Sequence, residues 1–200
     1  MDYRRFRVRP AATVARIAPA VVLLSLAPFA NAQNQIFDQR TLAPYVPTPE
    51  LVVEEMLSAA EVQESDIVYD IGSGDGRILF AAAEKYGAKA VGIEINELLA
   101  DATRIRAEEL ELDELVSVIQ EDVFEADLSE ATVVTVYLLS SSNTKLRPKL
   151  ESELAEGSRV VSHDFQFRGW KAEKTVNVQG DTGRMHRVYV YRMGSHLPAE

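Results

Sequence analysis

Gly72, Gly74 and Gly76 alternate with Ser73 and Asp75 directly behind a short apolar run that ends at Asp70-Ile71. Alternate glycines let a backbone turn sharply and approach a ligand with no side chain in the way. A helix beginning at Arg77 adds free N–H groups and a partial positive charge. Glu94 stands 22 residues beyond Gly72, behind a second apolar run, where a carboxylate can accept both hydroxyls of a ribose. Glu121-Asp122-Val123 follows a third run and offers a carboxylate and a backbone N–H to an adenine edge. Singly, these are a tight turn and two solvated acids. Three in register behind successive strands point to an adenosine site.

The elements that must position these residues are legible from periodicity. Thr48-Pro49 reads as a helix cap followed by proline at the first helical position, with Val53, Met56, Leu57 and Ala60 striping a helix over 49–60. Strands are expected at 67–71, 90–94, 116–119, 133–139 and 159–162, alternating with helices over 77–86, from Asn96, and over 142–155. The third helix is expected to bury Leu98, Ala102, Ile105 and Leu112, and Pro148 must start or kink the fourth. Runs 175–179 and 185–191 flank Gly180-Asp181-Thr182-Gly183 and read as an antiparallel hairpin. Such alternation predicts an α/β fold, a mostly parallel sheet covered on both faces, with its ligand beyond the C-terminal strand ends.

A dinucleotide fingerprint needs a third glycine where Arg77 stands, and no Gly-Lys-Ser/Thr phosphate loop is present. The Gly-x-Gly-x-Gly form behind Asp70 resembles motif I of class I S-adenosylmethionine-dependent methyltransferases, over about residues 48–192. Val46-Pro47-Thr48-Pro49, Tyr69 to Ile78, Gly92-Ile93-Glu94-Ile95-Asn96 and Val160 to Phe165 look like a bacterial subfamily related to the ATP-synthase c-subunit-type protein-lysine N-methyltransferases. The resemblance implies a Rossmann-like seven-stranded sheet with a C-terminal antiparallel hairpin and helices on both faces. It implies S-adenosyl-L-methionine as cofactor, with Asp70, Gly72, Ser73, Gly74, Asp75 and Gly76 around the methionine part, Glu94 on the ribose, and Asp122 and Val123 on the adenine. It further implies a protein substrate with an accessible lysine, membrane proteins included. A small-molecule or lipid methyltransferase and a cofactor-binding module without turnover are the alternatives.

A lysine acceptor must first be neutral. With an ordinary pKa near 10.4 an exposed lysine is deprotonated at pH 7 about once in 2,500, an obstacle of roughly 4.6 kcal/mol that desolvation lowers. Tyr137, towards the end of the fourth strand, and His163, at the end of the fifth, are the catalytic candidates; each also has a structural reading, as a core tyrosine and as a hydrogen-bonded histidine. The Asn/Asp-Pro-Pro-Tyr signature of many amine methyltransferases is missing, and Ser140 to Asn143 stand in its place. His186 and His196 read as non-catalytic, and Phe167 and Trp170 as core packing or a lid. No His/Asp/Glu spacing suggests a metal site.

The 200 residues contain no cysteine, which removes disulfides, thiolate metal sites and a cysteine nucleophile. Net charge is −10, and −14 beyond residue 32, which argues against a surface built to grip nucleic acid. Residues 1–32 carry five arginines, an uncharged stretch from Ile17 and an Ala30-Asn31-Ala32 site, the three parts of a signal peptide, with a membrane anchor as the alternative. The expected organisation is a signal peptide at 1–32, an extended leader at 33–47, a methyltransferase domain at 48–193 and a frayed tail at 194–200. Export to the periplasm follows from the signal peptide, and a domain on the cytosolic membrane face from an uncleaved anchor. Export conflicts with a cofactor made in the cytosol.

Overall fold

Short β-branched runs make the strands here, because they fill a pleated surface but are too short to hold a helix. In a computed structural model, which describes residues 42–198, there are seven: β1 (Ile67–Ile71), β2 (Lys89–Ile93), β3 (Val116–Ile119), β4 (Val133–Val136), β5 (Arg159–His163), β6 (Lys174–Gln179) and β7 (Met185–Arg192). The helices are α1 (Glu50–Ala59), α2 (Arg77–Tyr86), α3 (Glu97–Glu109) and α4 (Ser140–Glu153). The expected signal peptide lies outside the described residues.

One sheet runs in the order β3-β2-β1-β4-β5-β7-β6. The first five strands are mutually parallel, and β7 is antiparallel to both β5 and β6. Strand order reverses between β1 and β4, so a crevice opens there at the C-terminal edge.

Alternation of side chains divides the core into two layers. Val68, Val133, Val161 and Val188 join α1, α2 and the small residues of α3 on one face. Tyr69, Val134, Val160 and Tyr191 join α4 and the 165–172 loop on the other. Asn96 caps α3 by accepting from the Leu98 and Leu99 N–H groups, and Gly87 ends α2 in a left-handed conformation.

Three expectations are corrected. Thr48 does not cap α1: Pro49 holds that position without a side-chain bond, and Thr48 is turned to His163. The buried face of α3 is Ala100, Thr103 and Ala107, while Leu98 and Ile105 are 77% and 57% exposed. Thr103 explains this, since its hydroxyl donates to the Gly74 carbonyl and its methyl fills the space a Cβ on Gly76 would need. Only small residues allow that approach. The tail is docked as far as His196, which is buried against Trp170 and whose carbonyl accepts from the Lys171 N–H. Pro148 lies within α4. Among the described residues no helix is long and apolar enough to cross a membrane.

Candidate active site

The glycine loop is held shut by its own ribose-side acid. Gly72, Gly74 and Gly76 all have φ between +56° and +74°, the left-handed region that glycine enters freely. The Glu94 carboxylate accepts from the Gly74 N–H at 2.8 Å and from the Asn96 N–H at 2.8 Å, tying the β1 loop to the start of α3. Each of its oxygens keeps a second lone pair for a hydroxyl. Asp122 stands at the same edge after β3, with Oδ1 accepting from the Phe124 N–H at 3.0 Å, and Val123 is buried beside it.

Asp70, fully buried at the end of β1, accepts from the Thr135 hydroxyl at 2.7 Å. Burial pushes its carboxyl up to about 7; the Thr135 bond opposes this and the Glu94 and Asp75 carboxylates add to it. Asp75 is paired with Arg77 through bonds of 2.6–3.2 Å, whereas Asp70 and Glu94 have no ion pair among the described residues. Ser73 Oγ is buried without a partner among the described residues. Two acids without an ion pair among the described residues, beside a glycine loop, suit an adenosine ligand that carries positive charge.

Residues 42–49 form a strap along this edge. Ser142 Oγ donates to the Leu42 carbonyl at 2.5 Å. The Tyr45 ring lies over Gly74, where an added Cβ would meet it at 2.6 Å, and its phenol sits beside Asp75 and Arg77. Arg77 Nη1 donates to the Thr48 carbonyl at 2.7 Å, and Thr48 Oγ1 is 3.3 Å from His163 Nδ1. Sequence patterning misses the strap because an extended Pro-rich segment has no period.

On the other side of the crevice, Tyr137 leaves β4 and stacks on His163, ring centroids 3.8 Å apart. Phe165 stacks beyond it at 6.2 Å. Burial and the Asp164 carboxylate push the Tyr137 phenol up, so it stays protonated. His163 is fully buried, and its Nε2 is 2.8 Å from His186 Nδ1, which is 3.1 Å from Asp164 Oδ2. A carboxylate only accepts, so His186 Nδ1 carries the proton, His163 Nε2 accepts, and His163 Nδ1–H donates to Thr48. Burial, with His186 and Arg184 adding and Asp164 opposing, pushes His163 down to about 4, a neutral imidazole. His186, read from the sequence as non-catalytic, stands between His163 and Asp164. The atoms of His163, Asp164 and His186 lie within 4.8 Å of one another, a spacing open to a metal that no sequence interval discloses. Phe167 and Trp170 are core, stacked at 4.5 Å beneath Tyr191, and form no lid.

A doubly wound sheet with a glycine loop and two acids at its switch point has the architecture of a nucleotide-binding enzyme. The model of the ANTKMT methyltransferase domain matches residues 70–174. A protein-lysine N-methyltransferase of Saccharolobus islandicus is 47% identical over 154 residues, 76% of this chain and 95% of the relative. The lysine N-methyltransferase of the ATP synthase c-subunit from Rattus norvegicus is 31% identical, over 78% of this chain and 69% of the relative. Among solved structures, the RNA methyltransferase from Salinibacter ruber in complex with S-adenosyl-L-homocysteine is 48% identical with a TM-score of 0.72, covering 78% of this chain and 98% of that one. The chain belongs to the ANTKMT methyltransferase domain family and is an S-adenosylmethionine-dependent methyltransferase.

Proposed function

We propose that the protein methylates the ε-amine of a lysine in a protein substrate, membrane proteins being the foremost class. The observation that carries this is the aromatic wall of Tyr137 and Phe165 on a neutral, buried His163, across the edge from the glycine loop. The relatives named for lysine methylation support it, two of them by 47% and 31% identity.

S-adenosylmethionine, when bound, supplies a methyl already activated on a sulfonium. The chain's own residues have the remaining tasks. Gly72 and Gly74 give the methionine part access to backbone, Glu94 receives the ribose hydroxyls, and Asp122 with Val123 receives the adenine edge. Tyr137 and Phe165 desolvate the incoming amine, which favours its neutral form. Holding the amine in line contributes up to roughly 7–11 kcal/mol.

Residues 1–32 we assign to export, as a signal peptide, so that the domain meets its substrate at or beyond the membrane; an N-terminus at Gln33 in mature protein supports this, and an intact Met1 overturns it. For the activity, purified protein is incubated with methyl-labelled cofactor and membrane, soluble and RNA fractions. Label in protein, found as methyl-lysine by mass spectrometry, supports the reading. Label confined to RNA, lipid or small solutes overturns it.

A further inference from the structure

The loop after β5 holds Asp164 in a conformation that a non-glycine residue enters only when its surroundings compel it. Its φ is +58°, and the Phe165 N–H bonds back to the His163 carbonyl across it at 2.7 Å, closing a tight three-residue turn. Four further bonds fix the turn. The Asp164 N–H donates to the Arg187 carbonyl at 2.7 Å, and the Arg187 N–H donates to Asp164 Oδ1 at 2.9 Å. Ser162 Oγ and Asn143 Nδ2 both donate to the Phe165 carbonyl, at 2.5 and 2.9 Å.

The turn directs the Asp164 carboxylate into an open groove of about 580 Å³, lined also by Phe165, Met185, Arg187 and Tyr189. His163 Nε2 lies 3.6 Å from its Oδ2, and the three nearer groups differ in their hold. The Arg187 N–H is backbone, and His186 is buried. Arg184 is different: it makes one contact with Oδ2, at 3.2 Å, from a side chain that is 66% exposed beside the β6–β7 turn. An exposed pair of this kind is worth at most about 1 kcal/mol, so it opens readily. Once Arg184 swings out, Oδ2 faces the groove with Phe165 beside it and Tyr137 next in the aromatic stack.

We infer that Asp164 is the receiving site for the acceptor's alkylammonium group, and that Arg184 is its internal stand-in, displaced when a substrate lysine arrives. This rests on the lysine reading above. The chemistry is that of a primary ammonium: a compact cation with up to three N–H donors, met by a carboxylate oxygen and by aromatic faces that attract cations. Asp164 thus selects the charged form on arrival, a hold that opposes loss of the proton. The amine therefore becomes neutral only after it leaves Oδ2 for the desolvating faces of Phe165 and Tyr137.

The test uses full-length protein saturated with S-adenosylhomocysteine, whose binding is measured first by calorimetry; loss of that step strikes the methyltransferase reading and not this one. Butylammonium is then titrated, with butanol as its uncharged counterpart. Wild type binds butylammonium saturably and butanol not at all. Arg184→Ala removes the competitor and tightens butylammonium about threefold or more, as loss of a surface ion pair allows. Asp164→Asn keeps Oδ1 for the Arg187 N–H and weakens butylammonium about tenfold or more, the size of a charge-assisted bond. Equal affinity in wild type and Arg184→Ala overturns the inference, even where Asp164→Asn fails to fold. So does equal affinity in Asp164→Asn, or no binding to any form.

Discussion

Tyr137 and His163 lie ring on ring, 3.8 Å between centroids, with the imidazole fully buried and the phenol half-buried above it. The histidine is not among the residues that line the Asp164 groove. Its neutral ring is the floor that sets the height of Tyr137, and Thr48 and His186 fix that floor by hydrogen bonds from both nitrogens. Tyr137→Ala removes the wall of the acceptor side and lowers kcat about 10²-fold, the usual cost of a misplaced reactant. Tyr137→Phe keeps the stack and stays close to wild type. Affinity for S-adenosylhomocysteine, measured by calorimetry, changes in neither. Loss of activity in Tyr137→Phe would show that the hydroxyl, not the ring, matters.

Asp70 gives the protein a pH signature. Its carboxyl is raised to about 7 in the folded state, so the folded form holds a proton that the unfolded chain releases near the ordinary value of 3.8. The stability it contributes is full below that value and is lost as pH rises through about 7. A cationic ligand reverses the preference by favouring the carboxylate. Thermal shift by S-adenosylmethionine is therefore expected to grow between pH 5 and pH 8 in wild type and to stay flat in Asp70→Asn. A shift of equal size at both pH values in wild type would sink the assignment.

Gly74 is constrained twice, by its φ of +56° and by the Tyr45 ring at 2.6 Å from where a Cβ would stand. Gly74→Ala is expected to cost about 1–2 kcal/mol in urea unfolding from backbone strain alone. It also weakens S-adenosylhomocysteine about tenfold or more, since the loop must reshape against its ligand. Tyr45→Ala in the same chain recovers the part due to the ring and leaves the strain. A double variant no better than Gly74→Ala would place the whole cost in the backbone.

Asp66 and Arg159 anchor the sheet at the opposite edge from the site. Arg159 Nη2 reaches Asp66 Oδ2 at 2.6 Å, and the Thr132 hydroxyl and Gln63 N–H complete the carboxylate's partners. Burial alone would raise Asp66, but the bonds from Thr132, Gln63 and Arg159 outweigh it and hold it below the usual carboxylate range. Its contribution is present above the ordinary pKa and is lost as pH falls through the lowered one. Asp66→Ala is expected to cost about 3 kcal/mol by urea denaturation at pH 7, with methyl transfer by the folded fraction intact.

The cofactor side is legible in the sequence because its devices are local. Asp70, the three glycines and Glu94 announce themselves by residue type and by following strands, and the Gly74–Glu94 bond then closes what spacing implies. The acceptor side is not local. His186 and Arg184 reach Asp164 only because β7 runs antiparallel beside β5, a pairing across 22 and 20 residues that no motif encodes. Side-chain bulk misleads on α3, where Thr103 against Gly76 and not Leu98 or Ile105 decides the inward face. Tyr45 is silent and Thr48 is misread as a helix cap, since an extended strap acquires meaning only from what lies beneath it.

Thr48 holds Arg77 through its carbonyl and His163 through its hydroxyl, one residue clasping donor side and acceptor side together. Exchange of spent nucleotide and departure of the modified chain thus share a single latch. Parting the two sides of the edge therefore breaks both bonds of one residue together.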